Sequence, residues 1–161
     1  MVIHKVSQTV FGVDWGKKNI GVAVGDLQLK ISHPLCVISS NSKEILKEKL
    51  LILLKEWSPV KVVYGLPFHE NGDKHELMPV IKKFALSIFK KYNCEYFFIN
   101  ETLSSNLASS LMHKTQNKRN DSLSAMIILE DFFNLEDTQS FKNELIKIKK
   151  LFLMNKKIEI N

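Results

Sequence analysis

FGVDWGKKNIGVAVGD, residues Phe11 to Asp26, decides how the rest of this chain is read. It runs as a short apolar segment ending on an acid, a glycine-containing turn, and a second apolar segment. Val10, Phe11 and Val13 bring β-branched and aromatic character ahead of Asp14, and Ile20, Val22, Ala23 and Val24 continue it afterwards, as a buried strand pair requires. Gly16 and Gly21 carry no Cβ, so backbone, metal or phosphate can approach closely there. An acid at the lip of a buried hairpin is either a turn former or a ligand for a cation or an activated water. Residues elsewhere in the chain have to decide between the two.

Outward from the hairpin, strands give way to alternating helix and strand. Val10–Asp14, Ile20–Gly25 and Ile31–Ser39 read as three strands whose short connections make them antiparallel neighbours. Asn41 or Ser42 then caps a helix with Leu46, Leu50, Leu53, Leu54 and Trp57 on one face, and Pro59 ends it. Val60–Gly65 is a near-continuous apolar strand, as expected for one buried on both faces. Leu66 to Lys74 is a loop with an Asn71-Gly72 turn signal. The next helix carries Leu77, Val80, Ile81, Phe84 and Ile88, and Glu95–Ile99 is the fifth strand.

A helix over Leu103–His113, a basic loop over Lys114–Asn120 and a helix opening at Asp121 complete the pattern. The last of these carries Ala125, Met126, Ile128, Leu129 and Phe132. From Glu136 an amphipathic helix bears Phe141, Leu145, Ile148 and Phe152. The expectation is an α/β protein with a five-stranded mixed sheet between helices, the two helix-linked strands lying parallel to the first. Residues 1–135 form the domain, and 136–161 a C-terminal helical extension packed on or near it.

Composition narrows the partners. In 161 residues, 45% hydrophobic and 25% charged is a globular balance with enough chain for a sizeable core. No apolar run reaches the roughly 18 residues of a membrane span, and the first ten residues lack a signal-peptide pattern. Cys36 and Cys94 lie far apart in apolar contexts and read as reduced core thiols of a cytoplasmic protein. A formal charge of +6 favours acidic partners, nucleic acid first among them.

Three acids occupy related positions: Asp14 ending the first strand, Glu101 just after the fifth, and Asp121 opening a late helix. If the parallel strands neighbour the first, Asp14 and Glu101 emerge from one end of the sheet, where open α/β sheets bind ligands. A helix packed on that edge would bring Asp121 to the same place. Three carboxylates meeting there repel one another unless a cation neutralises them, and an oxygen-only set suits Mg²⁺ or Mn²⁺. Each acid also has a plain structural reading. Asp14 fits an Asx-type turn, Glu101 the positive end of a helix, and Asp121 a helix N-cap.

Four segments together resemble one family. Gly12 to Asp26 is similar to the opening motif of the YqgF family, RNase H-like pre-16S rRNA nucleases also described as Holliday-junction resolvase-like proteins. Val63-Tyr64-Gly65-Leu66-Pro67 is similar to that family's VGLP segment, including the following loop with Asn71-Gly72. Asn100-Glu101-Thr102-Leu103-Ser104-Ser105 resembles its Asp-Glu-Arg-Leu-Thr-Thr motif, and Asp121 to Phe132 its last motif. Order and spacing hold from about residue 10 to residue 134. The chain departs from the family pattern at Asn19, where Arg is usual, and at Asn100 and Thr102, which replace Asp and Arg. Lys17 stands where Thr is common.

The resemblance implies an RNase H-like fold in which Asp14, Glu101 and Asp121 are the catalytic, metal-holding acids of a phosphodiester hydrolase. One or two divalent ions, Mg²⁺ or Mn²⁺, about 3.5–4 Å apart if paired, would act on a scissile phosphate. Lys18 and, in the loop before Asp121, Lys114, Lys118 and Arg119 would contact nucleic acid. The family points to 5′-end processing of precursor 16S rRNA; a branched-DNA resolvase or a non-catalytic nucleic-acid-binding protein are the alternatives. A resolvase cutting two strands symmetrically would be a homodimer, and no segment marks a dimer face or excludes a monomer. An ATPase built from two closing domains with similar Asp-x-Gly turns needs a longer chain than this one.

Overall fold

The computed structural model of the chain describes residues 7–69, 71–100 and 119–136. Among the described residues eight elements follow in order: β1 (Thr9–Trp15), β2 (Asn19–Asp26), β3 (Ile31–Ser39), α1 (Lys43–Trp57), β4 (Lys61–Leu66), α2 (Met78–Phe89), β5 (Glu95–Asn100) and α3 (Arg119–Glu136). The strands form one sheet in the order β3-β2-β1-β4-β5. β1 and β2 pair antiparallel without a break from Thr9 opposite Asp26 to Trp15 opposite Ile20. β4 lies parallel to β1, and β5 parallel to β4. This is the mixed five-stranded sheet expected from the sequence. β3 tolerates Pro34 because it is an edge strand, and the pairing with β2 shifts register between Val22 and Ala23, opposite that proline.

Period-two alternation along the central strands divides the core in two. Phe11, Val13 and Trp15 of β1 share one face with Val62 and Tyr64 of β4. There they pack on Leu46, Leu50 and Leu54 of α1 and Ile81, Phe84 and Ile88 of α2. Val10, Ala23, Val63, Phe97 and Ile99 face the other way, against Ala125, Ile128, Leu129 and Phe132 of α3. Each fully buried aliphatic or aromatic side chain contributes about 1.5–3 kcal/mol, so α3 is held chiefly by its apolar stripe.

Local signals act where the sequence places them. Ser42 caps α1, its hydroxyl accepting from the Ile45 N–H at 3.4 Å. The helix stops at Ser58 in a left-handed conformation (φ 48°) just before Pro59, the residue type that disfavours continued helix. α2 opens on Pro79 within its first turn, where a missing N–H costs nothing. Cys36 and Cys94 are free, half-buried thiols packed against the core, and burial pushes Cys94 up to about 12.

Three expectations are corrected. Trp57 is 41% exposed; it sits at the last position of α1 and only edges Phe11, with ring centroids 6.3 Å apart. Leu53 is half-buried rather than part of the inner stripe. Most consequentially, α3 opens at Arg119, two residues before the expected start. Asp121 therefore lies inside the first turn and is not an N-cap. Glu101, the predicted 103–113 helix, Lys114, Lys118 and the extension beyond residue 136 lie outside the described residues.

Candidate active site

Asp14 is the penultimate residue of β1 and stands directly opposite Gly21 of β2. Opposed residues of an antiparallel pair project to the same face, here the face under α3. A Cβ on Gly21 would run into the backbone carbonyl of Asp121 and come within 2.9 Å of the Ser122 nitrogen. The missing Cβ thus lets the first turn of α3 settle on β2 beside Asp14. Gly12, two residues before Asp14, repeats the device: a Cβ there would lie 2.5 Å from the Ala125 carbonyl oxygen and 2.7 Å from Leu129 Cγ. The close approach that Gly21 permits is by helix backbone, not by metal or phosphate.

The consequence is a single cleft of about 170 Å³ lined by Asp14, Asp121 and the turn residues Trp15, Gly16, Lys17, Lys18 and Asn19. Both acids are half-buried, and Lys17 and Lys18 are exposed. Asp121, in the first turn of α3, is placed where the positive end of the helix dipole favours a carboxylate. The turn is fixed at two points. Gly16 N–H donates to the Asn19 carbonyl at 2.8 Å, and Ser40 N–H to the Lys18 carbonyl at 2.9 Å. Asp14 belongs to the strand ladder, opposite Gly21, and the backbone of the turn closes between Gly16 and Asn19. Trp15 anchors the cleft from beneath, 5% exposed and packed on Phe84 in the opposite layer at 6.1 Å between ring centroids.

Two of the three expected acids are therefore brought together, with Lys18 beside them. Lys17 and Asn19 also line the cleft, which their neighbourhood in the turn already suggested. Arg119 opens α3, and its side chain lies outside the described residues, as do Glu101, Lys114 and Lys118. Among the described residues no three His, Cys, Asp or Glu side chains converge as a metal site. The donor set they do supply, two carboxylates, is oxygen-only and fits a hard divalent cation better than zinc. His69 and His75 lie against each other, ring centroids 4.7 Å apart, and do not line the cleft.

A sheet of this order, three antiparallel strands followed by two parallel ones, with an acid ending the central strand and another on the helix across it, defines an RNase H-like protein. A family model described as "RuvX: Holliday junction resolvase" matches residues 8–135, and the chain belongs to that family. A Neisseria meningitidis protein named "Putative pre-16S rRNA nuclease" is 36% identical over 138 residues, covering 81% of this chain and 91% of its own length. A Nitrosospira multiformis protein of the same name is 33% identical over 132 residues, covering 78% and 87%. Among solved structures, T. thermophilus RuvC in complex with a Holliday junction substrate superposes with a TM-score of 0.52 at 14% identity, over 78% of this chain and 93% of that one. That likeness speaks for the fold.

Proposed function

We propose that this protein is a divalent-metal-dependent nuclease that hydrolyses phosphodiester bonds, with the 5′ end of precursor 16S rRNA as its substrate. The observation that carries the reading is the meeting of Asp14 and Asp121 in one cleft beside Lys17 and Lys18. Asp14 and Asp121, with Glu101 as third acid, would hold Mg²⁺ or Mn²⁺ in this reading. When bound, such an ion neutralises charge on a scissile phosphate and makes a water more acidic. Lys18 and Lys17 are placed to pair with flanking phosphate oxygens, and Lys114, Lys118 and Arg119 extend the basic contact in the same proposal. Family membership and the names of the relatives support the substrate class. No helix among the described residues is long and apolar enough to cross a membrane.

Cleavage of a precursor 16S 5′-leader transcript and of a four-way DNA junction, side by side with Mg²⁺ or Mn²⁺, tests the reading. The expected result is metal-dependent cleavage of the transcript that Asp14→Asn and Asp121→Asn each abolish. Cutting of the junction alone would move the assignment to a resolvase. Equal activity in wild type and both variants, or binding with no cleavage by any of them, would overturn the metal-nuclease reading.

A further inference from the structure

The loop between β4 and α2, described at residues 67–69 and 71–77, leaves the sheet at the same edge as Asp14, because β1 and β4 are adjacent and parallel with Val13 opposite Tyr64. It is a built projection. Phe68 and Lys74 form an antiparallel bridge. The His69 N–H donates to the Asp73 carbonyl at 3.0 Å and the Gly72 N–H to the His69 carbonyl at 2.8 Å. The Asn71 side-chain amide donates to the Asp73 carboxylate at 2.8 Å, and Gly72 takes the left-handed φ of 83° that the tip needs. On this frame the rings of His69 and His75 are stacked, 4.7 Å between centroids and 28° between planes. His75 is half-buried, and its Nδ1 accepts from the Leu77 N–H at 3.1 Å, which fixes that ring from below. His69 and Lys74 are exposed. Neither imidazole belongs to the hydrophobic core.

We propose that the His69–His75 stack is a platform for an unpaired nucleobase, with the base extending the stack on His69 and the Lys74 ammonium on an adjoining phosphate. A stacked planar pair on a loop that leaves the sheet at the edge where Asp14 lies, in a chain of charge +6, matches how single strands are bound, by ring stacking plus cationic contacts to the backbone. A base inside a duplex has both faces covered and cannot join such a stack. The platform therefore selects strands with an unpaired nucleotide near the cleaved bond and disfavours fully paired arms. The inference rests on the nuclease reading of the Asp14–Asp121 cleft and narrows its substrate to unpaired segments.

The test is fluorescence anisotropy with a labelled single-stranded oligoribonucleotide and a fully paired duplex of the same sequence, run in an Asp14→Asn background so that binding is read without cleavage. His69→Ala should weaken single-strand binding about 5- to 150-fold, the range of one lost base stack, and leave duplex binding unchanged. His69→Phe, which keeps an aromatic face, should restore it. No change on His69→Ala, an equal loss on both ligands, or failure of Phe to restore binding would each overturn the platform. Metal-dependent cleavage by the chain with Asp14 intact would still stand in those cases, so the two readings fail separately. Absence of single-strand binding by the Asp14→Asn protein itself would also overturn the platform.

Discussion

At the scale of single residues, the pairing of Asp14 with Gly21 sets a strand-end acid beside the first turn of α3 and Asp121. Two half-buried carboxylates lining one small cleft repel each other unless a cation or lysine lies between them, so binding of a divalent ion should stabilise the native state. Millimolar Mg²⁺ is expected to raise the melting temperature of the chain, by the linkage that any native-state ligand exerts. Asp14→Asn should abolish that rise; differential scanning fluorimetry against EDTA checks it, and an undiminished rise in the variant would place the ion elsewhere. Tyr64 gives a second, independent prediction. It is 1% exposed, and its hydroxyl has no hydrogen-bond partner among the described residues. Burial pushes its pKa upward. Tyr64→Phe removes a desolvated hydroxyl while keeping the ring, and should stabilise the protein by about 1 kcal/mol; loss of stability in urea melts would mean that an ordered water satisfies the group. Asp14 and Asp121 were legible as neighbours in the sequence because one acid ends an apolar strand and the other begins an apolar helix, positions that an α/β sheet topology brings to one edge. Lys17 was less so, since a lysine on a turn has the same pattern whether it faces a substrate or only water.

At the scale of elements, the site is made by how closely α3 lies on β1 and β2. Gly21→Ala puts a methyl group into the backbone of Asp121 and Ser122, which unlike a flexible side chain cannot swing aside. The first turn of α3 must lift, taking Asp121 away from Asp14. The expected outcome is a loss of about 1–3 kcal/mol in stability, the cost of overpacking a well-filled core, together with loss of the Mg²⁺-dependent rise in melting temperature. A variant that keeps both would show that Asp121 is not held by this contact. Strand periodicity told the sheet from the sequence, and the split of β1 into Val10 and Gly12 against Phe11 and Val13 was already present in it. The start of α3 was not legible, because Ser122 and Ser124 beside Asp121 look like capping residues, whereas tertiary packing on Gly21 extends the helix past them. The same helix supplies a pH test. Burial raises the pKa of Asp131 above the ordinary aspartate value of 3.8. An acid with a raised native pKa binds its proton more tightly when folded, so its contribution is full below the unfolded value and is lost as pH rises through the folded one. Asp131→Asn should therefore melt higher than wild type at pH 7, and the difference should vanish below about pH 3.8.

At the scale of the whole molecule, charge and shape divide the work of recognition. A net charge of +6 attracts any polyanion, and such attraction is salt-dependent and blind to structure. Lys18 sits in the cleft on a turn whose backbone is fixed by Gly16, Asn19 and Ser40, so its contribution should be a localised phosphate contact rather than a diffuse one. Removing one such contact lowers the slope of log affinity against log salt by about 0.7 for a single strand and about 0.9 for a duplex. Lys18→Ala should thus weaken single-stranded RNA and duplex alike, with the slope falling by about those amounts in filter-binding or anisotropy titrations across roughly 50–200 mM salt. That pattern is opposite to the one expected of His69, whose loss should spare the duplex and leave the salt slope unchanged, because stacking releases no counterions. If Lys18→Ala left the slope intact while abolishing cleavage, the lysine would act on the reacting phosphate instead of on the flanking backbone. The two variants therefore separate what the molecule gains from its overall charge from what it gains from the edge of the sheet where Asp14, Asp121 and the β4–α2 loop are gathered.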